Sequence, residues 1–414
     1  MRRRHFLRTS LGLLAARAVP SRAAEAVTVA QAFDAEMAAF MQPRGVPGGA
    51  LAVVKNGRLV YAQGYGLADR ERKTPVAPES LFRIASITKP FTAVAVLQLV
   101  ESGRLALEAR AFELLGFDPA QAADPRTAQI TVAQLLHHTG GWDRDKSGDP
   151  MFRAREIATE LKLRPPAAPE AVVRWMYGRR LDFDPGSAFA YSNFGYCVLG
   201  RIIEKIAGES YERQVREKVL APAGIRAMRI GASRRAGQAA GEVCYYEARD
   251  DLARNVFDEP PEKVPFPYGG FHLEAMEAHG GWIASAVDLV RFAAALDDPA
   301  HSPLLRRETF DLLYAPPAPP VSRQADGALD ASYYAAGWSV RPVGKNGRAN
   351  YWHNGSLPGT STLLVRRHDG LSWAVCFNQR SEDKNLPDGA IDAALHRAAD
   401  RVTAWPEGTA LPGK

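Results

Sequence analysis

Three stretches with the pattern of a β-hairpin lie at the two ends of this 414-residue chain. Each joins two apolar-rich runs through a short turn, and the turns are Asn56-Gly57, Asn346-Gly347 and Asp369-Gly370. These pairs favour tight hairpins because Asn, Asp and Gly tolerate the positive φ angles that such turns require. One hairpin near the N-terminus and two near the C-terminus predict a single antiparallel sheet assembled from both chain ends.

The middle of the chain has helical patterning instead. Apolar residues recur with helical spacing in residues 130–141, 170–178 and 195–220. A similar stretch at 388–405, after the last hairpin, is expected to form a helix that covers the sheet.

These patterns predict an α/β protein of the α+β type. Residues 27–84 and 281–414 are expected to form the antiparallel sheet with its flanking helices. Residues 85–280 are expected to form an inserted, mainly helical region. The run APPAPP at 315–320 is typical of a loop.

One helical pattern, residues 83–105, opens with Ser86 and Lys89 and is otherwise almost wholly apolar. Residues three apart share a helix face, so the Lys89 ammonium can approach the Ser86 hydroxyl. Pro90 is tolerated in a first turn, and Gly103 fits a C-terminal cap. Burial and the positive end of the helix dipole disfavour a protonated lysine, so we expect a lowered pKa for Lys89. A neutral lysine beside a serine is the arrangement of an activated nucleophile.

The Ser-x-x-Lys pattern is simple and occurs a second time, at Ser381 and Lys384. That copy lies in the charged segment SEDK, which is typical of a solvated loop. The apolar surroundings of Ser86 therefore make Ser86 the better candidate for a nucleophile.

The segment around Tyr191 supplies further polar groups. In an extended chain, Tyr191 and Asn193 point to the same side. A tyrosine serves as a general base only where cations lower its pKa from about 10, and Asn193 offers both a donor and an acceptor. The alternative is structural, with Tyr191 packed at a helix start and Asn193 as the N-cap.

The segment YWHNGS places His353 and Asn354 at a predicted strand end, followed by Gly355 and Ser356. A glycine there lets a backbone N–H approach a ligand closely. A polar junction between a strand and a turn explains the same residues equally well.

Two other sets of residues indicate no metal site. His137 and His138 are adjacent, which is a poor arrangement for sharing a metal, and the sequence has no H-E-x-x-H. The three cysteines have no metal-ligand spacing and are predicted to be buried free thiols: Cys197, Cys244 and Cys376.

Residues 1–26 have the composition of an export signal, with a basic start, a short apolar stretch and small residues around Ala24 and Ala26. The run RRHFLR resembles a twin-arginine signal, although a disordered basic tail is the alternative. Six arginines and one glutamate here account for +5 of the net charge of +6, which leaves +1 and no basic bias toward nucleic acid. No apolar run approaches the ~18 residues that span a membrane, so no stable membrane anchor is predicted.

Three short motifs follow one another along the chain: SITK at 86–89, YSN at 191–193 and HNG at 353–355. Their order and spacing resemble those of serine β-lactamases and penicillin-binding proteins, in the branch with class C β-lactamases, D,D-peptidases and related esterases. LLHHTGGW at 135–142 and HGGWIASAVDLVRF at 279–292 also resemble segments of that family. The resemblance covers roughly residues 30–400.

The resemblance implies an antiparallel sheet with helices on its faces, a helical domain, and an active site between the two. It implies that Ser86 is the acylated nucleophile and that Lys89 takes or relays its proton. Tyr191 would act as a base and then as an acid toward the leaving group. No metal or cofactor is implied.

The remaining motif residues would bind and orient the substrate. Asn193 would orient Lys89 and the substrate amide, and His353 and Gly355 would line the opposite wall. The backbone N–H groups of Ser86 and Ser356 would form the oxyanion hole.

The third motif departs from many β-lactamases, which have lysine where this chain has His353. A histidine is mostly neutral at pH 7 and carries charge only below a pKa near 6.5. We therefore expect poor β-lactam hydrolysis, a pH profile displaced to the alkaline side, and weak preference for substrates that bear a carboxylate.

These observations predict an exported serine hydrolase, periplasmic or secreted, that forms an acyl-enzyme with an ester or a peptide-like amide. A β-lactamase is one alternative. A penicillin-binding sensor that acylates without turnover is another. The expected partner is a small molecule or a peptide, and nucleic acid is not expected.

Overall fold

The structure, a computed structural model, describes residues 26–249, 252–344 and 347–411. The predicted export signal at 1–26 therefore lies almost entirely outside the described residues. Within them the strands are β1 (Gly48–Lys55), β2 (Arg58–Asp69), β3 (Thr74–Pro75), β4 (Phe82–Arg83), β5 (Arg229–Ile230), β6 (Leu252–Arg254), β7 (Lys263–Pro265), β8 (Trp282–Ala284), β9 (Tyr333–Tyr334), β10 (Ser339–Val343), β11 (Arg348–Leu357), β12 (Thr360–Arg366), β13 (Leu371–Phe377) and β14 (Thr409–Ala410).

Eight of the α-helices of the described residues follow one another between β4 and β5, and the others lie nearer the two ends of the chain. They are α1 (Val29–Arg44), α2 (Thr88–Glu101), α3 (Ala111–Leu114), α4 (Val132–Leu136), α5 (Arg144–Ser147), α6 (Ala154–Glu160), α7 (Pro169–Tyr177), α8 (Asn193–Ala207), α9 (Tyr211–Val215), α10 (Ala286–Ala295), α11 (Arg307–Tyr314) and α12 (Ala390–Arg401). None of the helices in this part of the chain combines the length and apolarity needed to cross a membrane.

The main sheet is antiparallel and has the order β14-β2-β1-β13-β12-β11-β10-β9, with β3 paired to β2. Strand β1 from the N-terminal part lies directly beside β13 from the C-terminal part, with Leu51 opposite Val375. The prediction of one antiparallel sheet built from both chain ends is therefore confirmed.

The hairpin turns explain the register of the sheet. Lys55 pairs with Arg58, so Asn56 and Gly57 form a two-residue turn with φ angles of 51° and 72°. Gly370 also has a positive φ, 79°, in the turn between β12 and β13. Strands β10 and β11 pair as predicted, while Asn346 of their turn lies outside the described residues.

Both faces of the central strands are buried, and β1 shows how the sequence divides between them. Leu51 and Val53 belong to the apolar cluster under α1 and α12, while Ala50 and Ala52 belong to the cluster on the opposite face. Side chains alternate between faces along a strand, so one apolar run supplies two cores. The predicted C-terminal helix is α12, and it covers the sheet as expected. Helix α1 was not predicted.

The chain enters and leaves the helical segment through two short strands that lie side by side. Strand β4 leads into it and β8 leads out of it, and the two pair antiparallel with Phe82 opposite Ala284. Helices α2 to α9 lie between these strands. The boundaries at 85 and 280 remain a prediction, and this pairing explains why the chain can carry so long an insertion.

Candidate active site

Ser86 lies in a 3₁₀ turn, Ala85–Ile87, that runs directly into α2. The α-helix itself starts at Thr88, so the serine precedes the helix that the sequence predicted it would open. Ala85 has a φ of 48°, a left-handed conformation that costs a non-glycine residue about 1–3 kcal/mol. The turn is held in place by Thr362 of β12, whose hydroxyl donates to the carbonyl of Ile84 at 3.0 Å.

Gly355 lets β11 approach the serine turn. A Cβ atom on this glycine would lie 2.2 Å from the carbonyl oxygen of Ile84 and 3.1 Å from the Cβ of Ala85. Any larger side chain would therefore push the strand away from Ser86. The sequence pattern predicted that Gly355 lets its backbone approach another group closely. In the structure that group is the turn that carries Ser86.

Lys89 is completely buried on α2, and its Nζ lies within hydrogen-bond distance of three polar groups. Its Nζ lies 3.1 Å from Ser86 Oγ, 2.8 Å from Asn193 Oδ1 and 3.0 Å from the backbone oxygen of His279. Burial lowers the pKa of Lys89 well below its ordinary value, partly opposed by the negative charge of Asp149. A neutral lysine beside the half-buried Ser86 can accept the proton of its hydroxyl.

Asn193 is the first residue of α8, and its position follows from the helix cap. Ser192 is the N-cap, because its side chain accepts a hydrogen bond from the N–H of Gly195. The structural alternative with Asn193 as the cap is therefore wrong. With capping left to Ser192, the Asn193 amide is free to face Lys89.

Tyr191 lies against the same lysine, with its ring centroid 4.7 Å from Lys89 Nζ. Its hydroxyl is buried and has no hydrogen bond of good geometry within the described residues, although it lies near Ser86. Burial raises the pKa of Tyr191, and neighbouring Ser86 and Arg144 only partly oppose the rise. Burial therefore favours the protonated form of Tyr191 in the resting site.

His353 faces inward from β11 and is buried. Its Nδ1 lies 2.7 Å from the backbone oxygen of Asn354, which can only accept, so Nδ1 carries the hydrogen. Nε2 then accepts from the Tyr334 hydroxyl at 2.9 Å. Burial lowers the pKa of His353 to about 3. The expectation that this histidine becomes charged below a pKa near 6.5 is therefore corrected: it stays neutral at every ordinary working pH.

Asn354 and Ser356 are exposed on the opposite face of β11. Beyond Trp352, among the strands described, β11 pairs only with β12, because its pairing with β10 ends at Ser339. The edge of β11 nearest the serine turn therefore has unpaired backbone groups that can bind an extended ligand. The motif residues lie inside this strand, ahead of its last residue, rather than at its end.

Several contributors to the site were missed by sequence reasoning. Arg144 of α5 stacks over the Tyr191 ring, with Cζ 4.8 Å from the centroid. Asp149 accepts a hydrogen bond from Asn193 Nδ2 at 2.6 Å. Both lie in residues 143–170, a segment of short helices and turns in which the Asp149-Pro150 pair was the one turn signal that the sequence offered near them. His279 contributes only its backbone oxygen, and a contact made by the backbone cannot be predicted from a pattern of side chains.

The imidazole ring of His138 packs against the ring of Tyr191. His138 packs against Tyr191 at a centroid distance of 4.3 Å and against Tyr334 at 4.4 Å. Its Nδ1 accepts the N–H of Ser192 at 3.2 Å. His137 and His138 both follow α4, and His138 also fixes the start of the YSN segment.

The other candidates lie away from this cluster. Ser381 and Lys384 are in a loop, as predicted. Cys197, Cys244 and Cys376 are buried free thiols, as predicted. In the part of the chain that is described, no cluster of His, Cys, Asp and Glu could hold a metal ion.

The fold and this cluster together define a class of protein: an antiparallel sheet flanked by helices, with a serine and a lysine at the start of a buried helix between the sheet and a helical segment. A family model described as Beta-lactamase matches residues 33–398. The chain belongs to this family of serine hydrolases with the β-lactamase fold.

Individual relatives agree with this assignment. The chain is 27% identical over 351 residues to Penicillin-binding protein 4* of Bacillus subtilis, covering 84% of this chain and 71% of that protein. It is 33% identical over 205 residues to Esterase EstB of Burkholderia gladioli, covering 49% of this chain and 52% of that protein. Among solved structures, a D-amino acid amidase from Ochrobactrum anthropi has the same fold, with a TM-score of 0.69, 21% identity, and coverage of 90% and 98% of the two chains.

Proposed function

We propose that this protein is an exported serine hydrolase that forms an acyl-enzyme with an ester or a peptide-like amide. The observation that carries the proposal is the contact between the buried Lys89 and Ser86, with Nζ 3.1 Å from Oγ. Burial lowers the pKa of Lys89 and so favours the neutral amine that can accept the serine proton. The half-buried serine is the one member of the pair that a substrate can reach.

Acylation follows from these positions. Ser86 Oγ attacks the substrate carbonyl as its proton passes to the neutral Lys89. The backbone N–H groups of Ser86 and Ser356 would stabilise the oxyanion, since Gly355 brings β11 against the serine turn. The carbon–leaving-group bond then breaks, and the leaving group takes a proton from Tyr191, which Lys89 replaces. Water attacks the acyl-enzyme by the reverse sequence of proton transfers.

The substrate class is supported by the neutral wall of the site and by the relatives. His353 supplies no positive charge, so strong selection for a carboxylate at this wall is not expected. The relative from Burkholderia gladioli is named an esterase, and the structural neighbour from Ochrobactrum anthropi is named an amidase.

Intact-mass measurement separates this function from its alternatives. The protein is incubated separately with a p-nitrophenyl ester, a D-Ala-D-Ala peptide and a penicillin. Turnover of the ester or peptide with a transient acyl adduct supports the proposal. Rapid penicillin turnover would indicate a β-lactamase, and a stable stoichiometric adduct without turnover would indicate a sensor. No adduct and no turnover with any of the three would refute the acyl-enzyme mechanism.

As the pH increases, kcat/KM should rise with a single apparent pKa and then stay high into the alkaline range. The rising limb is expected to follow loss of the proton from Lys89, whose lowered pKa lets activity appear below the ordinary range of lysine. Tyr191 must stay protonated to act as an acid, and its raised pKa delays the alkaline decline beyond about pH 10, the ordinary pKa of tyrosine. A pH–rate profile on a neutral p-nitrophenyl ester measures both limbs.

His353→Gln tests whether the third motif controls that profile. Because His353 is already neutral, the glutamine variant should keep the midpoint of the rising limb and lose roughly tenfold or less in kcat/KM. A limb displaced by a full pH unit or more would show that His353 titrates with the reaction. The same comparison on a carboxylate-bearing amide checks that the substrate preference is unchanged.

Export is tested with the full chain in a bacterium that has a working twin-arginine pathway. The protein should reach the periplasm without its first ~24–26 residues. Changing Arg3 and Arg4 to lysine should hold it in the cytoplasm, whereas changing Arg17 and Arg22 should not. A cytoplasmic, uncleaved product from the unaltered gene would contradict the proposal.

A further inference from the structure

We propose that Asp149 is a positioning residue for Lys89, acting through the side-chain amide of Asn193. Three hydrogen-bonded contacts form the chain: Asp149 Oδ2 to Asn193 Nδ2 at 2.6 Å, Asn193 Oδ1 to Lys89 Nζ at 2.8 Å, and Lys89 Nζ to Ser86 Oγ at 3.1 Å. The inference rests on the proposed function, because it assigns a role within the same proton transfer.

The carboxylate decides which way the Asn193 amide points. An ionised aspartate accepts hydrogen bonds and cannot donate, so only the NH₂ of Asn193 can face Asp149. The amide oxygen must then face Lys89. Without this acceptor, rotation of the amide would present its NH₂ to the lysine, and two donors would oppose each other in a buried site.

Asp149 is itself fixed in place and is not free to follow Asn193. It is the N-cap of the 3₁₀ turn Pro150–Phe152, and its Oδ1 accepts the N–H of Met151 at 3.0 Å. One oxygen therefore anchors the carboxylate to the backbone and the other holds the amide. The orientation of the Asn193 amide is therefore fixed by a carboxylate that is itself anchored to the backbone outside α8.

The carboxylate also places a negative charge near a site that otherwise disfavours a protonated lysine. Arg144 acts in the opposite direction on Lys89. The neighbouring imidazoles of His138, His279 and His353 are buried with lowered pKa values and carry no charge at neutral pH. Asp149 is thus the negative charge that supports Lys89 when it takes the serine proton.

Asp149→Asn removes this charge but keeps the shape and an acceptor for Asn193. The rising limb of kcat/KM should move toward lower pH by roughly one unit, because Lys89 loses its proton more easily. The rate at the plateau should fall as well, because a weaker base takes the serine proton less readily. A side chain that only supports the fold would move neither the limb nor the plateau in the folded protein.

Asp149→Ser separates the cap from the contact with Asn193. Serine is a good N-cap, so the turn should persist, but its shorter side chain does not reach Asn193. We expect the same displacement of the limb together with a plateau about 10- to 100-fold lower than in the unaltered protein. Asp145→Asn, in the exposed α5 turn of the same loop, is the matched control and should leave the profile unchanged.

Full pH–rate profiles of the three variants, with circular dichroism spectra, test the inference on a neutral p-nitrophenyl ester. A shared acid displacement for both Asp149 variants, absent from the Asp145 variant, supports it. Folded Asp149 variants with the limb and plateau of the unaltered protein would overturn it while leaving the acyl-enzyme proposal intact. An unaltered protein that forms no adduct would instead overturn the proposed function itself.

Discussion

Ser86→Ala should abolish hydrolysis and covalent labelling. Among the described residues, Ser86 Oγ is the hydroxyl within hydrogen-bond distance of Lys89 Nζ. Removal of a nucleophile that acts together with its base costs several orders of magnitude in rate. We expect kcat on a p-nitrophenyl ester to fall by about 10⁴-fold or more. Steady-state rates and intact mass after incubation with the same ester measure turnover and adduct together.

Ser381→Ala is the matched control, because Ser381 is followed at the same spacing by Lys384. That pair lies in a loop, and the Ser381 hydroxyl accepts the N–H of Asp383. The control should keep both the rate and the adduct. An active, labelled Ser86→Ala variant would place the nucleophile elsewhere.

Lys89→Met should be the second most damaging change. Methionine fills the buried volume but cannot take a proton, and loss of a general base costs typically 10²- to 10⁴-fold. The acylation rate should therefore fall by about that factor, measured by stopped flow with a p-nitrophenyl ester. Lys384→Met is the control and should be unaffected. An unchanged acylation rate in Lys89→Met would show that another group takes the serine proton.

Lys89→Met should also change how the free energy of unfolding depends on pH. The pKa of Lys89 is lowered in the folded protein, so between that pKa and about 10.4 the unfolded chain binds a proton that the folded protein does not. The free energy of unfolding of the unaltered protein should therefore rise with pH across this window. Lys89→Met should remove that part of the rise, which urea unfolding near neutral and near alkaline pH can measure.

The hairpins of the sheet were set by local sequence. Asn56-Gly57 fixes one turn, since both residues adopt the positive φ angles that their pairing predicted. Ser86 and Lys89 were brought together by chain spacing alone, through three residues of helical backbone. Helix α1 was missed even though Thr28 and Gln31 form a capping box at its start and Gly45 caps its end.

Other parts of the site depended on contacts between distant segments. Asn193 and Lys89 are 104 positions apart and meet only because α2 and α8 pack together, and Asp149 reaches Asn193 from a loop without a recognisable pattern. The protonation states also depended on the fold: burial lowers the pKa of Lys89, raises the pKa of Tyr191 and keeps His353 neutral. Sequence determines which groups are available and which neighbours lie within a helical turn or a hairpin. Burial of these groups and contacts between distant segments arise only when the whole chain folds. The tertiary structure therefore decides the protonation states and the long-range hydrogen bonds of the site.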